Sequence, residues 1–267
     1  MKILLASMEL ETLTGQPMYT YNLAKGLKEL GHEVVCVGFR IGGKITYWLE
    51  QLGIKVYKFT DRNWLGKYDL AVISENFPQF LDHIECDTIY NLCHSKGDLD
   101  KPIDDPRIEG YLFPRKEVMD YWGVKGDILP IPIDIKKWQV LREKQPNYTI
   151  LAPCTIDSLR TKFLLKLMER ANEDTNVWIV GKDHGGLKGE IPKYVSIFPE
   201  TPNIIDYMRK ADEVASIFMG TVVFEAWAMG LKTSVYDEKG NYREVPIGKV
   251  YDYLEVANML IKNRPKA

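Results

Sequence analysis

Residues 220–230, Gly-Thr-Val-Val-Phe-Glu-Ala-Trp-Ala-Met-Gly, decide the fold of this chain. They follow a short apolar run at 214–217, open and close with glycine, and carry a single charged residue, Glu225. This pattern predicts a strand, a turn and a helix that packs against a sheet, with glycine ending the helix. A carboxylate on the packed face needs partners, because burying an unpaired charge is costly. The hydroxyls of a ribose, or a neighbouring Lys or Arg, could supply them.

The same alternation of short apolar runs and helical periods extends outward in both directions. The predicted strands of the second half lie at 149–151, 177–180, 195–198, 214–217 and 233–236. Those of the first half lie at 3–6, 34–37, 54–59, 70–73, 88–93, 111–113 and 128–131. Apolar strands separated by helices indicate parallel sheets that are covered on both faces. The predicted fold class is therefore α/β.

Residues 130–134, Pro-Ile-Pro-Ile-Asp, interrupt this alternation and precede a charged stretch at 136–145. Two prolines exclude a central strand there. The segment is typical of a linker, and it predicts two domains, 1–133 and 134–267. With 45% hydrophobic residues, the chain of 267 can fill a core in each.

The composition excludes several classes of function. Lys and Arg total 35 against 37 Asp and Glu, so the charge gives no reason to expect nucleic acid as a partner. The four cysteines form no CxxC pair, and neither they nor the histidines have metal-ligand spacing. No apolar run approaches the roughly 18 residues of a membrane span. We therefore expect a soluble, cytoplasmic protein without a metal site, and we interpret Asp98-Leu99-Asp100 as a solvated loop.

Two strand-to-helix turns could bind an anion, because helix N-termini present unpaired N–H groups and partial positive charge. The first turn contains Gly15, and the second contains Gly220, Thr221 and Val222. An ordinary strand–helix turn is the alternative for Gly15. The chain has no GxGxxG, so the dinucleotide fingerprint is absent.

Residues 220–230, with 233–237 after them, resemble the donor-site motif of the family 4 retaining glycosyltransferases. That motif is Glu-x-Phe-Gly, four residues, then Glu-Ala-x-Ala-x-Gly. Further segments resemble the family in the expected order, and together they cover nearly the whole chain. They are residues 2–6, Gly15 and 22–34 at the start, residues 131–138 between the domains, and residues 178–181, which resemble the family's VGxG turn. The chain is thus identified as a short, partly divergent member.

This resemblance implies the GT-B fold, in which two Rossmann-like domains with parallel sheets face a cleft. Domain 1–133 would bind the acceptor, and domain 134–267 would bind the nucleotide-sugar donor. The implied reaction moves a sugar, of hexose type, from a UDP- or GDP-sugar to a hydroxyl of a glycan, lipid or small molecule. It would retain the anomeric configuration and need no metal or other cofactor.

The resemblance also implies roles for individual residues. His94 and Glu225 would be catalytic, and Arg160 or Lys162 would neutralise the donor diphosphate. The remaining donor-binding residues would be Gly15, Gly181, Gly220, Thr221 and Val222. The chain departs from the family at Ile217, where the motif has its first glutamate, and at residues 153–154, where the family has an arginine. A surface helix face is the alternative for Arg160 and Lys162, and an incidental loop histidine for His94.

Two other functions remain open. The chain could bind sugar nucleotides or glycans without catalysis, or it could be another GT-B enzyme, such as an inverting transferase or an epimerase. Residues 111–125 interleave Phe113, Tyr121 and Trp122 with Arg115, Lys116 and Lys125. Such a segment could lie at the inner face of a membrane, or it could be an amphipathic helix packed on its sheet.

Overall fold

A computed structural model describes residues 1–187, 189–237 and 239–263 of the chain. The chain divides into two units. The first contains residues 1–132 and the segment from Tyr251 onward, and the second contains residues 133–250. The sequence-based division instead assigned everything after 133 to the second domain, including residues 264–267, which lie outside the described residues. The final helix belongs to the first unit because it packs on that unit's first helix.

The first unit is built on a sheet of seven parallel strands in the order β3-β2-β1-β5-β7-β8-β9. These strands are β1 (Lys2–Leu10), β2 (Glu33–Ile41), β3 (Lys55–Lys58), β5 (Leu70–Ser74), β7 (Ile89–Leu92), β8 (Gly110–Phe113) and β9 (Asp127–Ile128). A small second sheet pairs β4 (Lys67–Tyr68) with β6 (Glu85–Cys86). The helices are α1 (Gly15–Glu29), α2 (Gly43–Gln51), α3 (Lys116–Trp122) and α8 (Tyr253–Lys262), with 3-10 turns at Phe59–Asp61, Pro78–His83 and Asp98–Asp100.

The second unit has a sheet in the order β13-β12-β11-β14-β15-β16. Its strands are β11 (Tyr148–Pro153), β12 (Thr175–Val180), β13 (Val195–Phe198), β14 (Glu213–Ser216), β15 (Lys232–Tyr236) and β16 (Tyr242–Val245). All are parallel except β16, an antiparallel edge strand. The helices are α4 (Ile135–Trp138), α5 (Thr161–Met168), α6 (Ile205–Met208) and α7 (Thr221–Ala228). Short strands β10 (Pro132–Ile133) and β17 (Tyr251–Asp252) lie where the chain passes between the units.

The predicted α/β class with parallel sheets is confirmed. The apolar strands are buried as the pattern predicts: residues 3–6 of β1 are at most 2% exposed. Helix α4 directly follows the predicted linker. Asp134, the last linker residue, caps its first turn by accepting a hydrogen bond from the Lys137 backbone N–H.

In each sheet there is one switch point, at which the chain stops adding strands on one side of the first strand and starts adding them on the other. In the first unit the chain adds β2 and β3 on one side of β1, and β5 and β7 on the other. In the second unit β12 and β13 lie on one side of β11, and β14 and β15 on the other. Such switch points leave a crevice at the carboxyl ends of the two central strands, where α/β proteins bind ligands. Each unit therefore has one such crevice.

Candidate functional site

Gly220, Thr221 and Val222 begin helix α7, directly after the switch-point strand β14 of the second unit. No side chain caps the helix, because its N-cap residue is Gly220. The first backbone N–H groups of a helix lack acceptors within it and carry partial positive charge. A phosphate group could accept hydrogen bonds from them.

Glu225 lies one turn further along α7, and its residue is 8% exposed. Burial raises the pKa of its carboxyl group to about 7, although the charge of Lys137 on α4 opposes this. Among the described residues, no hydrogen bond or ion pair reaches the carboxylate. The neighbouring Lys or Arg that the sequence analysis allowed as a partner of Glu225 is therefore Lys137, which acts on the carboxylate through its charge and not through a direct contact. A buried carboxylate with spare hydrogen-bonding capacity can bind the hydroxyls of a ligand.

Ile217 replaces the first glutamate of the motif and packs against the core of the second unit. The neighbouring Phe218 is 60% exposed. An added Cβ at Gly220 would lie 3.1 Å from this ring, a tight contact that the exposed ring would have to relieve by moving slightly. Position 217 thus contributes to the core, and Glu225 is the motif's one carboxylate.

Arg160 and Lys162 lie at the start of α5, which follows strand β11 on the other side of the crevice. Arg160 forms an ion pair with Asp157, and its backbone N–H donates to the same carboxylate at 2.9 Å. Asp157 therefore offsets the charge of Arg160. Lys162 is exposed, and no ion pair or hydrogen bond to its ammonium is present within the described ranges. Of the two, Lys162 is the cation available to a diphosphate.

Gly181 follows strand β12 and has a packing role in the structure. A Cβ at this position would lie 1.8 Å from the Cys154 carbonyl oxygen, so the loop after β11 passes directly over the glycine. The Gly181 N–H donates to the Phe198 carbonyl at 3.1 Å. Because that N–H is already paired, close packing of two loops accounts for the glycine.

In the first unit, Gly15 is the first residue of α1 and is exposed. Strand β1 extends to Leu10, four residues beyond the predicted end, so the loop before Gly15 is shorter than expected. Gly15 therefore stands at a helix N-terminus, as predicted.

His94 follows strand β7 in the first unit. Its backbone N–H donates to Asp100 Oδ1 at 3.0 Å, and its ring meets the Tyr19 ring edge to face at 4.9 Å between centroids. The Nε2 atom is buried and makes no hydrogen bond. Burial lowers the pKa of His94 to about 4, although the Asp100 charge opposes this. The imidazole is thus neutral near pH 7, and its Nε2 could form a hydrogen bond with a sugar hydroxyl.

The interpretation of Asp98-Leu99-Asp100 as a solvated loop is wrong for Asp100. This residue is 8% exposed and accepts hydrogen bonds from the His94 N–H and the Ser95 hydroxyl. Its carboxylate therefore organises the turn after β7. Within the described part of the chain, no three His, Cys, Asp or Glu side chains are grouped as metal ligands would be.

Glu75, which sequence reasoning missed, lies at the switch point of the first sheet. It directly follows strand β5, is 4% exposed, and accepts a hydrogen bond from the Met8 N–H of β1 at 2.8 Å. Burial raises its pKa to about 7, which the Met8 hydrogen bond opposes. The available signal was position: a charged residue two positions after the apolar run 70–73, with only Ser74 between them, falls at the carboxyl end of a buried strand.

The second unit also contains a cavity of about 500 Å³ at the amino ends of its strands, lined among others by Tyr148, Arg170, Glu213 and Ser234. Burial alone would raise the pKa of Glu213, but hydrogen bonds from Arg170 and Ser234 hold it below its ordinary value. Arg170 donates to both Glu213 oxygens, at 2.7 and 2.8 Å. This carboxylate is fully paired, so we do not place the site there.

The segment 111–125 forms strand β8 and helix α3. Val118 of this helix is fully buried against Phe113, and the Trp122 Nε1–H donates to the Ser95 carbonyl at 2.9 Å. These contacts fit the amphipathic helix packed on its sheet. No described helix is both long and apolar enough to cross a bilayer.

Helix α7 and its N-cap residue carry Gly220, Thr221, Val222 and Glu225. At the same edge of the second sheet, Arg160 and Lys162 lie at the start of α5, and Gly181 lies in the loop after β12. Gly15 and His94 belong to the first unit, together with the additional Glu75.

No family model matches the chain, and no curated protein sequence matches it. Solved structures do. A glycosyltransferase from Rickettsia africae superposes with a TM-score of 0.62 at 11% identity, over 98% of this chain and 87% of that one. HepE from Anabaena, in complex with UDP and glucose, gives 0.61 at 14% identity, over 98% and 89%. An alpha-glucosyltransferase in complex with UDP and a 13-mer DNA gives 0.61 at 10% identity, over 88% and 80%. At these identities the likeness establishes the fold, which is GT-B, as predicted.

Proposed function

We propose that this protein is a glycosyltransferase that moves a sugar from a nucleoside-diphosphate sugar to an acceptor hydroxyl. The second unit would bind the donor and the first unit the acceptor. The observation that carries the proposal is Glu225, a buried carboxylate without a hydrogen-bond partner among the described residues, one turn after an uncapped helix start at a switch point. The similar solved structures support it, since they are glycosyltransferases and several contain UDP or thymidine diphosphate.

Each group in the second crevice would meet one part of the donor. The N–H groups of Thr221 and Val222 would bind the diphosphate, and Lys162 would offset the charge that develops on it as the sugar leaves. Preorganised donors and cations of this kind contribute several kcal/mol to such reactions. Glu225 would bind the ribose hydroxyls.

Neutral His94 in the first unit would hydrogen-bond to the transferring sugar, and Gly15 would let the backbone approach it closely. Retention of configuration, a hexose as the transferred sugar and independence from metal are carried by the family 4 resemblance. A glycan, lipid or small molecule would be the acceptor, and we expect the reaction in the cytoplasm, including the inner membrane face if the acceptor is a lipid.

The test is calorimetric titration of the protein with UDP and with GDP, followed by incubation with UDP- and GDP-sugars. We expect one nucleotide to bind at micromolar to millimolar concentrations and the matching donor to be hydrolysed or transferred. Lys162→Ala should weaken nucleotide binding, whereas Lys193→Ala, which removes an exposed lysine elsewhere in the unit, should not. Absence of nucleotide binding at millimolar concentrations would refute the proposal.

A second function is favoured by one pair of residues. Because Asp157 already neutralises Arg160 and Ile217 occupies the place of the first glutamate, the site has fewer charges for stabilising a leaving group. The chain could then bind sugar nucleotides without catalysis. Nucleotide binding without turnover of any donor, unaffected by His94→Ala, would establish this second function.

A further inference from the structure

The crevice of the first unit contains an unusual arrangement around Glu75. Its backbone has φ 70°, in the left-handed region that residues other than glycine rarely adopt. Such strain persists only where the surroundings enforce it, and it concentrates at functional positions.

Asn91 enforces this conformation from the neighbouring strand β7. Its side-chain amide donates to the carbonyl oxygens of Ile73 and Glu75, both at 2.9 Å, and its Oδ1 accepts from the Ile103 N–H. The Glu75 N–H in turn donates to the Leu92 carbonyl at 3.0 Å. With its backbone fixed on both sides, Glu75 directs its side chain across the switch point to the end of β1.

Only part of the Glu75 carboxylate is used by this arrangement. Oε2 accepts the Met8 N–H, whereas Oε1 has no hydrogen-bond partner in the described ranges. The Gln16 amide lies close enough to lower the pKa of Glu75, yet its buried Nε2 atom makes no hydrogen bond of ordinary geometry.

Other polar atoms around this crevice are also unpaired. The buried atoms without hydrogen bonds in the described residues include Gln16 Nε2 and Thr20 Oγ1 on α1, and His94 Nε2 after β7. Gln16 and Thr20 are four residues apart and so share a helix face. His94 touches Tyr19 of the same helix. Folded proteins leave few buried polar atoms unpaired, so a group of them around one crevice is typical of a site that binds a polar ligand.

We propose that Glu75 and Gln16 form the acceptor subsite of the first unit, in which the Glu75 carboxylate accepts a hydrogen bond from a hydroxyl of a glycoside. A carboxylate beside an amide donor, with a neutral imidazole nearby, suits a group that both donates and accepts, as sugar hydroxyls do. Burial also raises the pKa of Glu75, and a hydrogen bond to the ionised form would lower it again on binding. This proposal rests on the proposed function, because it concerns the second substrate of the same reaction.

The test uses the full chain and a panel of methyl glycosides of glucose, galactose, mannose and N-acetylglucosamine. Saturation-transfer NMR measures binding of each glycoside in the presence of the nucleotide that binds best, and the donor assay measures transfer to it. At least one glycoside should bind to the wild-type protein. If none binds, the proposed acceptor class is wrong.

Glu75→Gln keeps an oxygen for the Met8 N–H but replaces the other carboxylate oxygen with a donor. We expect the KM for the glycoside to rise about tenfold to a hundredfold, the range for a hydrogen bond to a charged group. Nucleotide affinity and donor hydrolysis by water should stay within about twofold. Glu50→Gln, at an exposed glutamate of α2 in the same unit, is the matched control and should change neither.

Gln16→Ala provides an independent variant, since it removes no contact that holds β1 to β5. It should weaken glycoside binding in the same direction, and it decides the test if Glu75→Gln does not fold. Unchanged glycoside binding in the folded variants would overturn the inference and leave donor binding intact. Failure of the proposed function would look different, because the wild-type protein would then bind no nucleotide.

Discussion

Glu225 and His94 are buried ionisable residues whose pKa values move in the direction that keeps each one neutral. Burial raises the pKa of Glu225 to about 7 and lowers that of His94 to about 4. The two residues therefore affect stability in opposite ways. Between pH 4 and 6.5 the unfolded chain binds a proton at His94 that the folded chain does not, so His94 lowers stability as the pH falls. Glu225 has the opposite effect, since it lowers stability as the pH rises. Comparison of the wild-type protein with a Glu225 variant separates the two contributions.

For Glu225, the folded protein binds a proton that the unfolded chain has lost between pH 4.5 and about 7. The contribution of this residue to stability is thus present below pH 4.5 and is lost as the pH rises towards 7. We predict that Glu225→Gln stabilises the protein at pH 8 by on the order of 2 kcal/mol and has little effect at pH 4.5. Urea unfolding at both values measures the difference.

The same substitution tests the proposed role of Glu225, because it should weaken nucleotide binding while it stabilises the fold. Glu173→Gln, at an exposed glutamate of the same unit, should change neither property. A Glu225→Gln protein that is less stable at pH 8 would mean that the carboxylate has a structural partner in the folded protein. Gain of stability with loss of binding is the signature of a residue retained for its ligand.

At the scale of elements, the loops after β11 and β12 meet at Gly181. The Cys154 carbonyl oxygen lies 1.8 Å from the position of a Cβ, a distance that no side-chain rotation can relieve. We predict that Gly181→Ala destabilises the second unit by about 3 kcal/mol, at the upper end of the range for overpacking. Thermal unfolding measures this loss.

Gly97→Ala is the control, since its Cβ would make an ordinary contact 3.4 Å from the Ser95 hydroxyl. It should change the free energy of unfolding by no more than about 0.5 kcal/mol. If Gly181→Ala were equally mild, the loop after β11 would have to be able to move away from β12. The site beside Lys162 would then be adaptable instead of preorganised.

The elements were largely predictable, because periodicity reports local structure and burial. The apolar run 214–217 and the glycines at 220 and 230 located β14 and α7 to within one residue. Strand β16 was missed because Tyr242, Arg243 and Glu244 lack an apolar run, and its position depends on pairing with β15.

The candidate site was predictable only where a motif marks it. Glu225 stands out in an apolar helix, whereas the significance of Glu75 arises from contacts with Met8 and Asn91, which are distant in sequence. The ion pair that occupies Arg160 could not be foreseen either, because sequence spacing does not show which rotamer an arginine adopts. Local patterns thus identify elements, while the use of each polar group depends on tertiary pairing.

At the scale of the whole molecule, the chain returns to its first unit at the end. Helix α8 packs on α1, and the Tyr253 hydroxyl donates to the Glu29 carboxylate at 2.8 Å. The crossing requires Gly26, since a Cβ there would lie 2.6 Å from the Tyr253 carbonyl oxygen and 2.9 Å from Ala257 Cβ. The first unit is therefore complete only once residues from both ends of the chain have come together.

Because the contact between α1 and α8 lies within the first unit, a substitution there tests whether the two units unfold separately. Replacing Gly26 with alanine gains about 1 kcal/mol of helix propensity, but the clash with the α8 backbone costs about 1–3 kcal/mol and cannot be relieved by a rotamer change. Because the clash meets main-chain atoms, we expect its cost to exceed the gain. Gly26→Ala should then speed amide hydrogen exchange in α1, α8 and β1, while α7 and β11 keep their protection. Mass spectrometry measures this exchange on peptides from both units. Faster exchange in the peptides of both units alike would show that the two units unfold as one cooperative body.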